Sequence, residues 1–370
     1  MVEGQLRRAR RLGRQRFTNH ITIIVIAIVV AVAMAVLPGT ALAAPGIPPK
    51  PPKDQSHYIN AYSRAVIAGY KKDGCAQATY DIAKGHNSEV ILAFGAQTPY
   101  GQHTTPGSEA QNNTHNFSYS QIRTIAETYA DAYATCDVGG LHNVRLAVGT
   151  SNDLLVSTAA GNAWYVNAVL PVVNHVLGEG HGNLVRIYGA SDLETEYSSP
   201  ASAEHWAQGY AQYSAHAAHR CCTSYLDFGD AGGCVPTHDA GPRDLGSSCN
   251  RGWYQHDVWL VGYYYPSLIH GRNAPSINPT PQIYTPGTAS AWAQISLWAY
   301  LHNKDLPHVP VYFQGPLDQN TAPLSPGGPP TFSNSAAWNA FASALISARL
   351  YSGPGGLAPV VNTMVYSLTI

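Results

Sequence analysis

The chain has 370 residues, 12% charged and 45% hydrophobic, with a formal net charge of −1. That composition belongs to a globular protein and excludes a disordered one. No basic patch and no basic-aromatic interleaving occurs, which speaks against a nucleic-acid partner.

The first 43 residues read as an export signal. Arg7, Arg8, Arg10, Arg11, Arg14 and Arg16 form a basic head, residues 21–37 an apolar run broken by Thr22, and Ala41-Leu42-Ala43 a small-x-small cleavage site. The run is at the short limit for a membrane span, so a retained anchor is the alternative, and a membrane partner is expected only if the segment is not removed. Without residues 1–43, 15 Lys and Arg face 21 Asp and Glu, a net charge of about −6. Residues 44–56 then form a proline-rich tether, and 57–370 a single exported domain, expected to be monomeric.

Six cysteines in an exported chain point to disulfides. Cys234 and Cys249 bracket a loop rich in Gly, Pro, Ser and Asp and are expected to pair, and Cys75 with Cys136 is a second pair. Cys221 and Cys222 are adjacent and stay unassigned. The spacings fit no common zinc pattern.

In chain order, helical spacing covers 57–70 and continues as a second short helix at 76–84. Residues 89–97 are an apolar strand, 100–117 a polar loop and 119–136 a helix. The second strand, 144–149, runs into Thr150, Ser151, Asn152 and Asp153. A helix follows at 162–177, with Pro171 a kink. The third strand is 184–190, and a helix capped by Ser202 spans 202–219. The fourth strand, 223–228, closes with Gly229 and Asp230. Strands are then expected at 257–264 and 280–284, a helix at 289–301, a seventh strand at 309–314, a helix at 333–350 and an eighth strand at 360–368. Strands alternating with helices imply βαβ units and a parallel sheet. Eight over about 280 residues match an α/β fold of (β/α)8 TIM-barrel type, with irregularities. No Gly-x-Gly-x-x-Gly follows a strand, which speaks against an open dinucleotide fold.

In such a fold the C-terminal strand ends form the active face. Here they carry Gln97, Asn152, Asp153, Asp192, Glu194, Asp227, Asp230, Tyr263, Tyr265, Gln282 and Gln314. The strand ending in Asp192 is followed by Glu194 and Glu196, and all three acids share one face while the backbone stays extended. Carboxylates, amides and tyrosines together suit a sugar: polar groups bond hydroxyls and aromatic faces stack on a pyranose. Glycoside hydrolysis needs one carboxyl as acid and one ionised as base or nucleophile. Glu194, deep at a strand end, is the candidate acid. Asp192 would hold Glu194 or orient a substrate group, and Asp227 or Asp230 would supply the second carboxylate. Asn152, Asp153, Gln97, Tyr263, Tyr265, Gln282 and Gln314 are candidate substrate contacts. No cofactor is expected. Sixteen histidines scatter without a His-Glu-x-x-His, so no metal site is read, and no Gly-x-Ser-x-Gly elbow occurs.

Asp192-Leu193-Glu194 resembles the Asp-x-Glu pair at a barrel strand end in muramidase-type hydrolases of glycoside hydrolase family 25 and, more loosely, the end of the chitinase signature. The resemblance implies catalysis by that pair with the Glu as acid. Those muramidases open their first strand with an aspartate, and residues 89–97 offer none. The segments AVGTSND, YGASDLE, CNRGWYQHDVW and PQIY resemble uncharacterised secreted barrel-like proteins of actinobacterial type. The expectation is a secreted glycoside hydrolase-like protein acting on an extracellular polysaccharide or peptidoglycan. The alternative is a non-catalytic barrel that binds glycan or a surface partner.

Overall fold

A computed structural model describes residues 53–97, 104–105, 116–151, 157–216, 224–235, 245–268, 279–306, 311, 313, 317–319, 334–348 and 365–368. The export signal, Asn152, Asp153, Cys221, Cys222 and Gln314 lie outside these residues. Among the described residues no helix is long and apolar enough to cross a membrane.

The chain alternates strand and helix. In order come β1 (Lys53–Tyr58), α1 (Arg64–Lys84), β2 (Ser88–Gln97), the short β3 (Thr104–Thr105), α2 (Tyr119–Cys136) and β4 (Val144–Ser151). Next are α3 (Thr158–Trp164) and α4 (Leu170–Gly178), joined by a π turn, then β5 (Val185–Asp192), α5 (Pro200–His216) and β6 (Tyr225–Asp227). The remainder is α6 (Gln255–Trp259), a second π turn, α7 (Tyr265–Leu268), α8 (Pro286–His302), β7 (Leu317–Gln319), α9 (Asn334–Ser347) and β8 (Val365–Leu368). The sheet order is β6-β5-β4-β2-β1-β8-β7. Every neighbouring pair on that path is parallel; β3 adds antiparallel to the end of β2.

Four features differ from expectation, one of them β7, which lies at 317–319, beyond the strand expected at 309–314. The first strand is β1, which begins in the stretch assigned to the tether and runs into the start of the one expected to be helical, and its sequence KDQSHY has no apolar run to announce it. It is a strand because both its edges are paired, to β2 and to β8. The two short helices expected after it are one helix of 21 residues, capped by Ser63, which accepts from the Val66 N–H at 3.2 Å, and ended by Gly85 at φ 62°. The expected strand at 257–264 is helical. A short apolar run does not distinguish buried strand from buried helix, and the deciding signal is Asp257, whose carboxylate accepts the Tyr254 N–H at 2.8 Å and caps α6.

The two π turns, Tyr165–Val169 and Leu260–Tyr264, share one cause. Each is followed two residues later by a proline, Pro171 or Pro266, and each contains the residue four before that proline. Proline cannot donate to that carbonyl and its ring collides with it, so the backbone widens there. The kink expected at Pro171 takes this form. Helix α5 begins at Pro200, and its cap is Ser199, whose Oγ accepts the Ser202 N–H at 3.3 Å.

The helices cover one face of the sheet. Val90, Leu92, Phe94, Leu146, Val148, Ile187 and Tyr225 lie in that core with side chains of the helices. The other face holds a separate cluster of Tyr58, Ile91, Ala93, Ala147, Tyr188, Ala190, Leu226 and Phe228. Among the described residues no helix contributes to this second cluster; the sheet curls around it. Thr280, which donates its N–H to the Asp227 carbonyl at 2.8 Å, extends the sheet past β6. Its Oγ1 lies 3.5 Å from Glu89 Oε1 on β2, four strand positions away. In a flat sheet that separation would be roughly 19 Å.

Disulfides join Cys75 to Cys136 and Cys234 to Cys249. The first ties α1 to α2; the second closes the loop after β6. Helices α3 and α5 cross at two glycines. A Cβ on Gly161 would collide with the Trp206 carbonyl, and one on Gly209 with that of Thr158. Backbone carbonyls cannot yield as side chains do. Gly161→Ala or Gly209→Ala is therefore expected to cost about 2–3 kcal/mol. Gly69→Ala, on the exposed side of α1 with open space around it, is expected to add about 0.5–1 kcal/mol. Urea unfolding of the three variants checks this; equal effects at all three positions would contradict the close crossing.

Candidate active site at the end of the fifth strand

Strand β5 enters as Val185-Arg186-Ile187-Tyr188, whose residues alternate between the two faces. Ile187 belongs to the helix-side core and Tyr188 and Ala190 to the inner cluster. Asp192 therefore ends the strand on the inner face. It is 1% exposed, and its Oδ1 accepts the Gln282 Nε2–H at 2.9 Å. Gln282 is held beside β6 by its own N–H, which bonds the Gly229 carbonyl at 3.1 Å.

The strand stops at Asp192, so the three acids do not stay on one extended face. Leu193 turns into the helix-side core. Glu194 is 4% exposed. Thr195 Oγ1 donates to the Gly232 carbonyl, tying this turn to the loop after β6. Glu196 is exposed and sits in that turn, where it accepts from Asn250 Nδ2 at 3.3 Å.

Asp227 faces the other side of the sheet from Asp192. It is in register with Ser191, not Asp192, and follows Tyr225 onto the helix-covered face. A Cβ on Gly262, in the second π turn, would lie 2.9 Å from its Oδ2. Its Oδ1 accepts two backbone N–H groups, from Leu193 at 3.2 Å and Gly229 at 3.1 Å. Burial pushes its pKa up to about 7, against the opposing pull of those two donors. Asp230 is half-buried in the turn after β6 and accepts the Gly232 N–H. The carboxylates of Asp230 and Glu196 flank Gly232: each would lie within 2.8 Å of a Cβ there.

The amide and tyrosine candidates separate. Gln282 joins Asp192. Gln97 has its groups engaged, with Nε2 donating to Tyr119 Oη at 3.0 Å and the Ala160 carbonyl at 2.8 Å, while Oε1 accepts from Trp206 Nε1 at 3.0 Å. It ties α2, α3 and α5 together. Tyr263 is buried in the helix-side core. Tyr265 accepts from Gln208 Nε2 at 2.6 Å, a contact between α7 and α5. The strand expected at 257–264 would put both tyrosines at its end; the helical form of that run moves them into the outer layer.

The strand ends expected from sequence leave out β1, and with it Ser56 and Tyr58. Tyr58 lies on the inner face with Ala93, its register partner on β2. β1 also contains Asp54, in register with Tyr366 on β8. At the opposite end of the inner face Glu89 lies 3.9 Å from Arg145 Nη1. Among the described residues no group of three or more His, Cys, Asp or Glu is placed to hold a metal ion.

No protein-family model matches the chain, and no curated protein matches it. Among solved structures it is similar to the apo form of the homocysteine methyltransferase MmuM from Escherichia coli, at 12% identity over 85% of this chain and 90% of that one, with a TM-score of 0.39. It is also similar to the endoglucanase CEL6B from Humicola insolens, at 12% identity, 62% and 64% coverage and a TM-score of 0.31. A third is the GH53 catalytic domain from Ignisphaera aggregans, at 10% identity, 77% and 65% coverage and a TM-score of 0.30. The chain spans under two thirds of the length of these two glycoside hydrolases.

Proposed function

We propose that the chain is an exported glycoside hydrolase of extracellular polysaccharide or peptidoglycan, with Asp192 and Glu194 as its carboxyl pair. The observation that carries this is their position: two buried carboxyls two residues apart at the C-terminal end of one parallel strand, one of them held by an amide from a neighbouring segment. Asp192, accepting an amide N–H, takes the ionised role. Glu194, buried just beyond the strand, takes the proton-donating role.

The fold we infer is a closed (β/α)8 barrel. Strand positions β1, β2, β4, β5, β6, 280–282, β7 and β8 alternate with helices, and β8 returns to pair with β1. The curl that brings Thr280 to Glu89 supports closure. Two disulfides are compatible with an extracellular address.

A second reading, a non-catalytic glycan-binding barrel, has one observation in its favour. Asp227 faces the helices, so the strand next to β5 does not bring its last carboxylate to the inner face. Release of new reducing ends from peptidoglycan and a panel of soluble polysaccharides tests the choice. Turnover supports the hydrolase; saturable binding without turnover supports the binding module.

A further inference from the structure

Gln282 is 0% exposed, and its amide is only half engaged. Nε2 donates to Asp192 Oδ1 at 2.9 Å. Among the described residues Oε1, also buried, has no hydrogen-bond partner. The amide cannot simply turn over to relieve this, because reversal would set Oε1 against a carboxylate oxygen. Backbone anchoring fixes the residue further: the Thr280 and Gln282 N–H groups both bond the β6 side of the sheet. Leaving a buried carbonyl oxygen without a donor is unfavourable, and a donor on a ligand removes that penalty.

We propose that Gln282 is a positioning and specificity residue: through Nε2 it fixes the carboxylate of Asp192, and through Oε1 it accepts one hydroxyl or amide hydrogen of the sugar bound there. This rests on the glycan reading of the same site and deepens it. The ligand class is a neutral sugar unit presenting a donor at the Asp192 end of the inner face. The amide couples the two events, since one planar group orients both the carboxylate and the sugar.

The test uses the full chain carrying Glu194→Gln, so that ligand is not consumed, with and without Gln282→Met. The probes are β-1,4-linked tetramers of N-acetylglucosamine and of glucose, and analogues lacking one hydroxyl or the acetamido N–H. In the protein that keeps Gln282, one analogue is expected to bind about tenfold more weakly than its parent tetramer. In the protein that also carries Gln282→Met, that analogue and its parent are expected to bind equally. A purely structural Gln282 would lower the thermal midpoint when replaced and leave every analogue's penalty the same in both proteins, which would overturn the inference. Failure to bind any tetramer would overturn both this inference and the glycan reading. Coupled penalties with a wild-type chain that turns over nothing would remove the hydrolase reading and leave Gln282 in its role.

Discussion

Replacing Glu194 by Gln is expected to lower glycan turnover by about 10²-fold or more, the usual contribution of a positioned general acid. The change keeps shape and volume and removes the transferable proton. The protein should stay folded, because an amide fills the same buried space. Glycan affinity should be kept within a few-fold, since a group that acts on the barrier contributes little to ground-state binding. Asp192→Asn should be comparably damaging, but by another route: it removes the charge that Gln282 Nε2 holds. Initial rates of reducing-end release, with circular dichroism as the folding control, decide both. Full activity in Glu194→Gln would remove Glu194 from the chemistry.

Asp227 is expected to give the stability of the fold a marked pH dependence. Its pKa in the fold is pushed up to about 7 by burial, against about 3.9 when unfolded. Below about pH 4 both states are protonated and the stability contributed by the raised pKa is fully present. As pH rises, the unfolded state loses its proton first, so the fold becomes less stable until about pH 7, where Asp227 ionises in the fold as well. The swing is on the order of 4 kcal/mol. Asp227→Asn keeps an oxygen for the Leu193 and Gly229 N–H groups and does not ionise, so it should flatten this trend and be more stable than the parent at pH 8. Urea midpoints of both proteins at pH 4, 6 and 8 check it. A parent that gains stability over that range relative to Asp227→Asn would contradict the buried, protonated state.

The parallel βα rhythm is legible in the sequence because strands β2, β4 and β5 are apolar runs bounded by polar loops and capped helices. β1 is not: Lys53, Asp54, Gln55 and Ser56 carry no hydrophobic signal, and the strand exists through long-range pairing to β2 and β8. The run at 257–264 misleads the other way, because a helix buried within a layer of other helices is apolar on all sides and loses its period. One strand is hidden, one is falsely signalled, and β7 falls at 317–319, beyond the strand expected at 309–314. The same two features decide how much of the site can be read. Asp192 and Gln282 are readable as strand-end residues, but their contact follows from sheet curvature that no local pattern encodes. Tyr263 and Tyr265 go with the false strand. Asp227 shows a further limit: at a strand end one residue of register decides which side of the sheet a carboxylate faces, and no local pattern in TSYLDF marks the last paired residue.

A crystal structure of the Glu194→Gln chain with a bound oligosaccharide would show whether the Asp192–Glu194 strand end holds the sugar. A glycosidic oxygen is expected within hydrogen-bond reach of the amide at position 194, with a sugar on the inner face beside Asp192. A saccharide bound on another surface, touching neither Asp192 nor the amide at position 194, would contradict it.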